Sequence, residues 1–320
     1  LVIMMPGNDV SESLETARVL KDINPELPIV LLTPFSKQVS RRLASEDLSG
    51  VDYVFSWLGN VDLLLGIIKL LEDKKNADYD INEVGVQCIM LVEDSIRFYS
   101  SVLPTIYKFL LKQSREFSTE ALNEHEQMRR MRGRPKVVLA RDYEEAISLY
   151  ERYGRNMLGV ITDVSFARGG VKDSSAGLRL TEYLRSKDPS LRVIVESSEI
   201  KNAVPVKELG ARFIDKNSKK LPVDLGYAIM SDFGFGDFII RDPATGEEVT
   251  RIRSLKDMQN HIFDIPAESL FFHARSNDIS RWLYSRALFP IADVIRRHHC
   301  TSLEDVPAAR QLFFDLIVKY

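Results

Sequence analysis

The sequence has 320 residues, which is enough for two or three domains that each bury a hydrophobic core. Its 46 acidic residues nearly balance its 43 basic residues, so no overall charge indicates nucleic acid or an anionic membrane surface as the main partner. Two distant cysteines, Cys88 and Cys300, exclude a disulfide framework, and with no membrane-length apolar run or leader we expect a soluble, cytoplasmic protein.

Both ends of the sequence interrupt a pattern. Residues 1–7 begin inside a strand-like run, and residues 310–320 stop within an amphipathic helical pattern. We therefore expect an internal fragment of a longer protein, regulating a segment that lies outside it.

The first block, residues 1–75, alternates strand-like and helical segments. Short, continuously apolar strands between amphipathic helices are typical of βα units on a buried parallel sheet. After the opening strand, the pattern predicts helices at 14–23, 37–44 and 61–71 and strands at 28–33 and 51–55. Residues 72–83 are polar and aperiodic, which predicts a linker, placed at 76–86, before the pattern restarts.

The second block, residues 87–231, repeats the alternation five times. The predicted strands are 88–92, 136–140, 158–162, 192–195 and 212–214, and the predicted helices are 96–131, 143–153, 177–186, 200–209 and 223–230. In a doubly wound sheet, ligands bind beyond the carboxyl ends of the strands, where the strand order reverses. The functional residues are therefore expected at those strand ends.

Side chains suited to phosphoryl transfer stand at these positions. Glu93 and Asp94 follow the first strand, Asp163 follows the third, Ser197 lies after the fourth and Lys216 after the fifth. Mg²⁺ is held by carboxylates together with phosphate oxygens and waters, and clustered acids favour binding of a cation. The sequence predicts Asp163 as the nucleophile that forms an acyl phosphate, with Ser197 and Lys216 as donors to the new group.

This pattern resembles the receiver domain of bacterial two-component response regulators. The resemblance covers residues 87–231 and implies a doubly wound, flavodoxin-like fold, with phosphate accepted from a sensor histidine kinase or a small phosphodonor. It implies that Ser165 lends its backbone carbonyl to the metal and that Phe213 follows the movement of Ser197. Asn217 departs from the family by replacing the usual proline, and the loop 164–176 is longer than usual.

The first block resembles a receiver that has lost its chemistry. Val2 stands where a receiver has its phosphoacceptor, Thr33 keeps the hydroxyl position, and residues 56–58 (Ser-Trp-Leu) replace the lysine. We expect no acyl phosphate on this copy. An interaction or dimerisation module is favoured over a passive spacer, because Trp57 and Phe35 would leave an apolar patch at the dead site.

The segment between Asp94 and Asp163 spans 69 positions, more than the family spacing, and the excess lies in residues 99–133. Apolar residues recur there at helical spacing, with Pro104 expected to kink the start. Two interpretations stay open: a partner surface for a homodimer through helix 96–131, or a helix folded back on its own domain. The basic run 129–136 favours a solvated or acid-paired face over a nucleic-acid site.

The third block, residues 232–320, predicts a hairpin at Thr245-Gly246 followed by helices, that is, a smaller α-rich α+β connector. The run His298-His299-Cys300 lacks a second ligand pair, so a structural role is favoured over metal binding. Residues 233–283 resemble a region of bacterial proteins that join receivers to a phosphoenolpyruvate synthase or pyruvate phosphate dikinase-like enzyme.

Three functions follow from these observations. The first is a phosphorelay response regulator that acts on a downstream effector in the same chain, with no catalysis of its own beyond receiver autophosphorylation and autodephosphorylation. The alternative is the regulatory front part of a phosphoenolpyruvate synthase-like phosphotransferase. A transcription factor is disfavoured because no DNA-reading motif is present, and no membrane partner is expected.

Overall fold

The computed structural model describes residues 1–6, 10–34, 46–57, 59–121, 123–298 and 300–319. The predicted helix 37–44, the patch residue Phe35, and Leu58 and His299 lie outside the described residues. The chain has a mixed α/β fold with parallel sheets, as the alternating pattern predicts. None of the described helices is both long enough and apolar enough to cross a bilayer.

The first block contains a three-stranded parallel sheet in the order β1-β2-β3. Its described elements are β1 (Val2–Met4), α1 (Val10–Ile23), β2 (Ile29–Pro34), β3 (Tyr53–Trp57) and α2 (Asp62–Ala77). The central strand β2 is buried from Ile29 to Thr33. Its continuous apolar run fits a strand that is covered on both faces.

Residues 72–83 are helical, whereas the sequence predicted a linker beginning there. Helix α2 continues to Ala77, and a π-helical turn extends from Asp78 to Glu83. Asp73 is fully buried, and its carboxylate accepts hydrogen bonds from the Arg134 guanidinium and from the backbone N–H of Val137. The polar composition indicated exposed residues, but Asp73 pairs with the buried Arg134 and does not face solvent.

The second block contains a five-stranded parallel sheet and a separate two-stranded hairpin. The sheet strands are β4 (Cys88–Val92), β5 (Lys136–Ala140), β6 (Met157–Asp163), β9 (Arg192–Ser197) and β10 (Arg212–Asp215), and the hairpin strands are β7 (Phe166–Arg168) and β8 (Val171–Asp173). The helices are α3 (Ile96–Ser118), α4 (Glu124–Arg132), α5 (Tyr143–Tyr153), α6 (Ala176–Lys187), α7 (Ala203–Glu208) and α8 (Leu221–Asp232). The sheet order is β5-β4-β6-β9-β10, which is the flavodoxin-like order 2-1-3-4-5.

Strand alternation divides the core of the second block between the two faces of its sheet. Ile89 and Leu91 face a core that also includes residues of the first and third blocks. Met90 and Val92 face a second core, which α5, α6 and α7 cover. The first face therefore joins the three blocks into one packed unit.

Helix α3 ends at Ser118, so the single helix predicted over 96–131 was wrong beyond that residue. The side chain of Asn123 accepts a hydrogen bond of 2.9 Å from the backbone N–H of Glu126 and caps α4 as a new helix. The apolar seam of α3 is buried within the chain; its residues are Tyr99, Leu103, Ile106, Leu110 and Phe117. The helix folds back on its own chain, as the second interpretation held, so this seam is not the surface for the predicted homodimer.

The first and second blocks cover each other's sheet edges. At the edge strand β3, the backbone N–H of Ser56 donates to Ser100 Oγ at 2.9 Å, and the Tyr99 hydroxyl donates to the Val54 carbonyl. At the edge strand β5, the N–H of Val137 donates to Asp73 at 2.9 Å. Uncovered edges would invite pairing with other chains, so these contacts protect both sheets.

The basic run is paired with acids and backbone carbonyls, as favoured from the sequence. Arg130 donates to the Phe117 carbonyl at 3.0 Å, and Arg134 binds Asp73. Lys136 lies 2.7 Å from Asp80. These contacts bury Arg130, Arg134 and Lys136, while Arg129 and Arg132 remain exposed.

The third block consists of a hairpin and helices. Its described elements are β11 (Phe238–Arg241), β12 (Glu248–Ile252), α9 (Leu255–His261), α10 (Ala267–Arg275), α11 (Asp278–Ser285), α12 (Phe289–Arg297) and α13 (Val306–Lys319). The strands pair antiparallel and Gly246 in the turn has φ 75°, which confirms the predicted hairpin.

The third block packs on the amino-terminal end of the second sheet. A Cβ on Gly159 would lie 2.0 Å from the Phe233 ring, so glycine is required for this close approach. Asp278 lies 2.6 Å from Arg192, the first residue of β9. The third block therefore contacts the second sheet at the end opposite to Asp163.

Candidate functional site

Three carboxylates converge at the carboxyl edge of the second sheet. Glu93 and Asp94 follow β4, and Asp163 ends the neighbouring strand β6. One oxygen of each lies within 4.8 Å of the others. Parallel strands that are adjacent in the sheet end at the same edge, so strand order alone places these acids together.

Lys216 reaches the same cluster from the end of β10. Its Nζ forms a short ion pair with Glu93 Oε2 and lies 3.1 Å from Asp163 Oδ1. It also sits 4.3 Å from the centre of the Phe98 ring on α3. Burial alone would lower the pKa of Lys216, but the charges of Glu93 and Asp163 outweigh it and raise that pKa. The side chain therefore remains a cation at neutral pH.

The three acids differ in exposure. Glu93 is buried, with 2% of its surface exposed, and burial raises its pKa to about 7 even beside Lys216. Asp94 and Asp163 keep 28% and 16% of their side-chain surface exposed. Asp94 is thus the acid most accessible to an ion arriving from solvent.

Glu196 is a fourth acid that the sequence reasoning missed. It lies on β9 directly opposite Asp163 in the parallel register, and Lys216, Glu93 and Asp163 all influence its charge. Burial raises its pKa to about 7, and its Oε1 has no hydrogen-bond partner. A carboxylate inside the apolar strand Arg192–Ser197 was the signal available in the sequence.

Asp163 is held rigidly at the strand end. Its Oδ1 accepts a 2.7 Å hydrogen bond from the N–H of Val164 and contacts Lys216. A Cβ on Gly177 would lie 1.9 Å from the Asp163 carbonyl oxygen. Helix α6 can therefore approach this strand end only because residue 177 is glycine. The hydrogen bond and the ion pair of the side chain both use Oδ1, and Oδ2 makes neither with the described residues.

Ser197 and Phe213 lie on adjoining strands of the same edge. Ser197 Oγ accepts hydrogen bonds from the N–H of Glu199 at 3.1 Å and from Asn202 Nδ2 at 2.9 Å. The hydroxyl proton is therefore available for donation to another group. Phe213 is half-buried against the second core, and Ser165 is half-buried two residues after Asp163.

The loop after β10 is held by Asn217. The Lys216–Asn217 peptide is trans. The Asn217 side chain donates to the Ser198 carbonyl at 2.9 Å, and its backbone N–H donates to Asp215 Oδ1 at 2.8 Å. The asparagine therefore ties the lysine loop to the end of β9.

The long loop after Asp163 forms the hairpin β7–β8, and this brings a second lysine to the acids. Lys172 Nζ lies 2.5 Å from Asp94 Oδ2. The sequence showed only that the loop was long and contained Gly169-Gly170. The contact depends on how the hairpin folds back, which no local pattern indicated.

The first block carries no comparable cluster among its described residues. The acids Glu93, Asp94 and Asp163 are the only group of three potential metal ligands in the described part of the chain, so His298 and Cys300 join none. Thr33 Oγ1 donates to the Phe55 carbonyl at 3.2 Å, and Trp57 packs against the main core. Trp57 is therefore partly buried and not a freely exposed part of the expected apolar patch.

The donor set at the second edge fits a divalent cation. Carboxylate oxygens are the ligands that Mg²⁺ prefers, and three of them converge there. The unpartnered Oε1 of buried Glu196 adds negative potential beside them. Four acids lie around two lysines, the buried Lys216 and the more exposed Lys172, which leaves a surplus of negative charge whenever the acids are ionised.

Comparisons with known proteins add little to the geometry. No protein-family model matches the chain, and no curated protein matches it. Among solved structures, a response regulator receiver domain protein from Clostridium thermocellum aligns with 46% of this chain and 93% of its own length, at 19% sequence identity and a TM-score of 0.32. The strand order 2-1-3-4-5 shows the flavodoxin-like fold of the second block independently of that distant likeness.

Proposed function

We propose that the second block is a phosphoacceptor signalling domain in which Asp163 accepts a phosphoryl group. The observation that supports this is the meeting of Asp163 with Lys216 and two further acids at the carboxyl edge of the sheet. A structural ion-pair network would need as many cations as acids, whereas four acids here (Glu93, Asp94, Asp163 and Glu196) share only Lys216 and Lys172. The excess of acids is better explained by a site that receives a cation and a phosphoryl group together.

Glu93, Asp94, Asp163 and the backbone carbonyl of Ser165 are the groups that would hold Mg²⁺. The ion, when bound, neutralises negative charge on the incoming phosphoryl group. Lys216 is positioned beside Asp163 Oδ1 to neutralise charge on the same group from within the protein. The buried ammonium needs no reorganisation for this because it is already held by Glu93.

The transfer step proceeds at the free oxygen of Asp163. Oδ2 attacks phosphorus, a new O–P bond forms, and the bond between phosphorus and the donor breaks. With acetyl phosphate as donor, acetate leaves with the electron pair of the broken P–O bond. Lys216 and the hydroxyl of Ser197 then donate hydrogen bonds to the phosphoryl oxygens, and Phe213 follows the displacement of Ser197.

The signalling role follows from this local change in charge. A sensor histidine kinase or a small phosphodonor would supply the phosphoryl group, and an effector in the same chain would read the altered surface. The link to a phosphoenolpyruvate synthase-like enzyme stays a prediction, because no contact of the described residues favours it.

Mass spectrometry tests the proposal. Incubation with Mg²⁺ and acetyl phosphate is expected to give one phosphate adduct on the intact chain, labile to hydroxylamine, and none on Asp163→Asn. Asp22→Asn, which changes an exposed acid on α1, is the matched control and should be modified like the parent. No adduct on the parent, or an equal adduct on Asp163→Asn, would refute the proposed function.

A further inference from the structure

The hairpin β7–β8 is anchored along its first strand. Phe166 is fully buried in the second core, and Ala167 forms a bridge to Asp142 at the start of α5. The N–H of Gly169 donates to Glu144 at 3.0 Å. Gly169 and Gly170 have φ 61° and 75°, left-handed values that glycine adopts without strain. The turn and the first strand are therefore positioned by the body of the domain.

The second strand of the hairpin is exposed at Val171 and Lys172 and half-buried at Asp173. Val171 is 70% exposed. Asp173 lies 3.5 Å from Arg179 and accepts a hydrogen bond from the N–H of Ser175, the residue before α6. Between them Lys172 extends to Asp94, placing its ammonium 2.5 Å from Oδ2. An anchored hairpin thus delivers one cation to one acid of the site.

The charges at the site divide into an inner and an outer part. Lys216 neutralises Glu93 and Asp163 from inside the protein, with 3% of its own side chain exposed. Lys172 neutralises Asp94 from outside, with 57% of its side chain exposed. A divalent ion that binds Asp94 shares the carboxylate with Lys172, which already contacts its Oδ2, and the ion is repelled by that ammonium.

We propose that Lys172 is a tethered cation that competes with Mg²⁺ for Asp94, so that the hairpin β7–β8 sets the metal affinity of the site. This inference rests on the proposed function, because it takes the acids to be the metal ligands. It adds a regulatory element: whatever lifts Lys172 from Asp94, such as a partner with its own carboxylate at the hairpin, would increase metal binding and thereby favour phosphoryl transfer.

The test is direct measurement of Mg²⁺ binding by calorimetry, on the whole 320-residue chain at low salt and without phosphodonor. Lys172→Ala is expected to tighten Mg²⁺ binding about two- to fivefold, the range typical of a partly exposed ion pair. Lys172→Arg keeps the charge and should bind Mg²⁺ like the parent. The gain in Lys172→Ala should shrink at high salt, which screens exposed charges.

Two controls separate this role from a general surface effect. Lys112→Ala removes another exposed, ion-paired lysine, 3.7 Å from Glu116 and about 24 Å along α3 from its start, and should leave Mg²⁺ affinity unchanged. In an Asp94→Asn background, Lys172→Ala should have no effect, because the contested carboxylate is gone.

The outcomes are distinct. Unchanged or weaker Mg²⁺ binding by Lys172→Ala would overturn the competition while leaving the metal site in place. A gain that persists in the Asp94→Asn background would overturn it too. If neither the parent nor any variant binds Mg²⁺, the metal-dependent function falls, and this inference with it.

Discussion

The first and second blocks are built on the same alternation but use their strand ends differently. In the second block the strand ends carry Asp163, Lys216 and the acid pair, and these side chains meet. In the first block Thr33 bonds to the neighbouring strand and Trp57 packs into the core. The apolar strands make the fold, and a few positions at one edge decide whether it carries chemistry.

The comparison also shows what the first block contributes to the second. The first block supplies Asp73 to the edge strand β5 and accepts Tyr99 and Ser100 of α3 on its own edge. Its described residues thus stabilise the second block directly. A passive spacer would not supply a fully buried carboxylate, that of Asp73, to a strand of the second block.

Asp73→Asn is expected to have the largest effect on stability. It leaves the Arg134 guanidinium, which is 6% exposed, without its anionic partner. Breaking such a buried pair costs about 3–5 kcal/mol. Denaturant unfolding of the whole chain measures this loss.

Glu72→Gln is the control for Asp73→Asn. Glu72 precedes Asp73 but its side chain is 42% exposed and pairs with Lys69 at the surface, so the change should cost less than about 1 kcal/mol. Equal effects of the two substitutions would show that the first block does not depend on Asp73 to hold the second.

Gly177→Ala tests the close approach of α6 to the end of β6 in the second block. The new Cβ would meet the Asp163 carbonyl oxygen, so α6 must shift, at an expected cost of about 2–4 kcal/mol with impaired phosphorylation. Gly226→Ala is the matched control in α8, where nothing lies within 4 Å of the new Cβ. That change should stabilise the protein by up to about 1 kcal/mol, as expected for alanine in a helix.

Glu196→Gln tests the surplus of negative charge around Asp163. Among these three substitutions, it has the smallest expected effect on stability. The first block has Leu32 before its strand-end hydroxyl Thr33, where the second has Glu196 before Ser197. Burial raises the pKa of Glu196 to about 7 from 4.5, so the folded state binds this proton more tightly than the unfolded state. The associated stability is complete below about pH 4.5 and is lost as the pH rises through 7.

The glutamine variant cannot ionise and should escape this loss. Without metal at pH 8, its free energy of unfolding should exceed that of the parent by up to about 3 kcal/mol. The difference should be small at pH 5. A pH-independent difference would contradict the assignment of the effect to ionisation of Glu196.

Much of the second block was predictable because its signals are local. Apolar strands and the positions of Glu93, Asp94, Asp163 and Lys216 in the pattern are enough to predict a parallel sheet with acids and a lysine at one edge. Once the strands pair in the order 2-1-3-4-5, these residues must meet.

The features that escaped prediction depend on contacts distant in sequence. Asp73 looked like a linker residue because its partner Arg134 is 61 positions away. Lys172 is 78 positions from Asp94 and reaches it only through a folded hairpin. The end of α3 at Ser118 was hidden because the apolar spacing continues past it, while Asn123 starts a new helix.

The central claim is that one of the two similar blocks accepts phosphate, and it does so at Asp163. Reduction with borohydride after incubation with Mg²⁺ and acetyl phosphate converts an acyl phosphate into a stable alcohol, which tandem mass spectrometry locates in the chain. We expect the reduced residue to be Asp163 and no acid of the first block. A reduced residue elsewhere, or an unreduced Asp163 in a chain that has taken up phosphate, would contradict the claim.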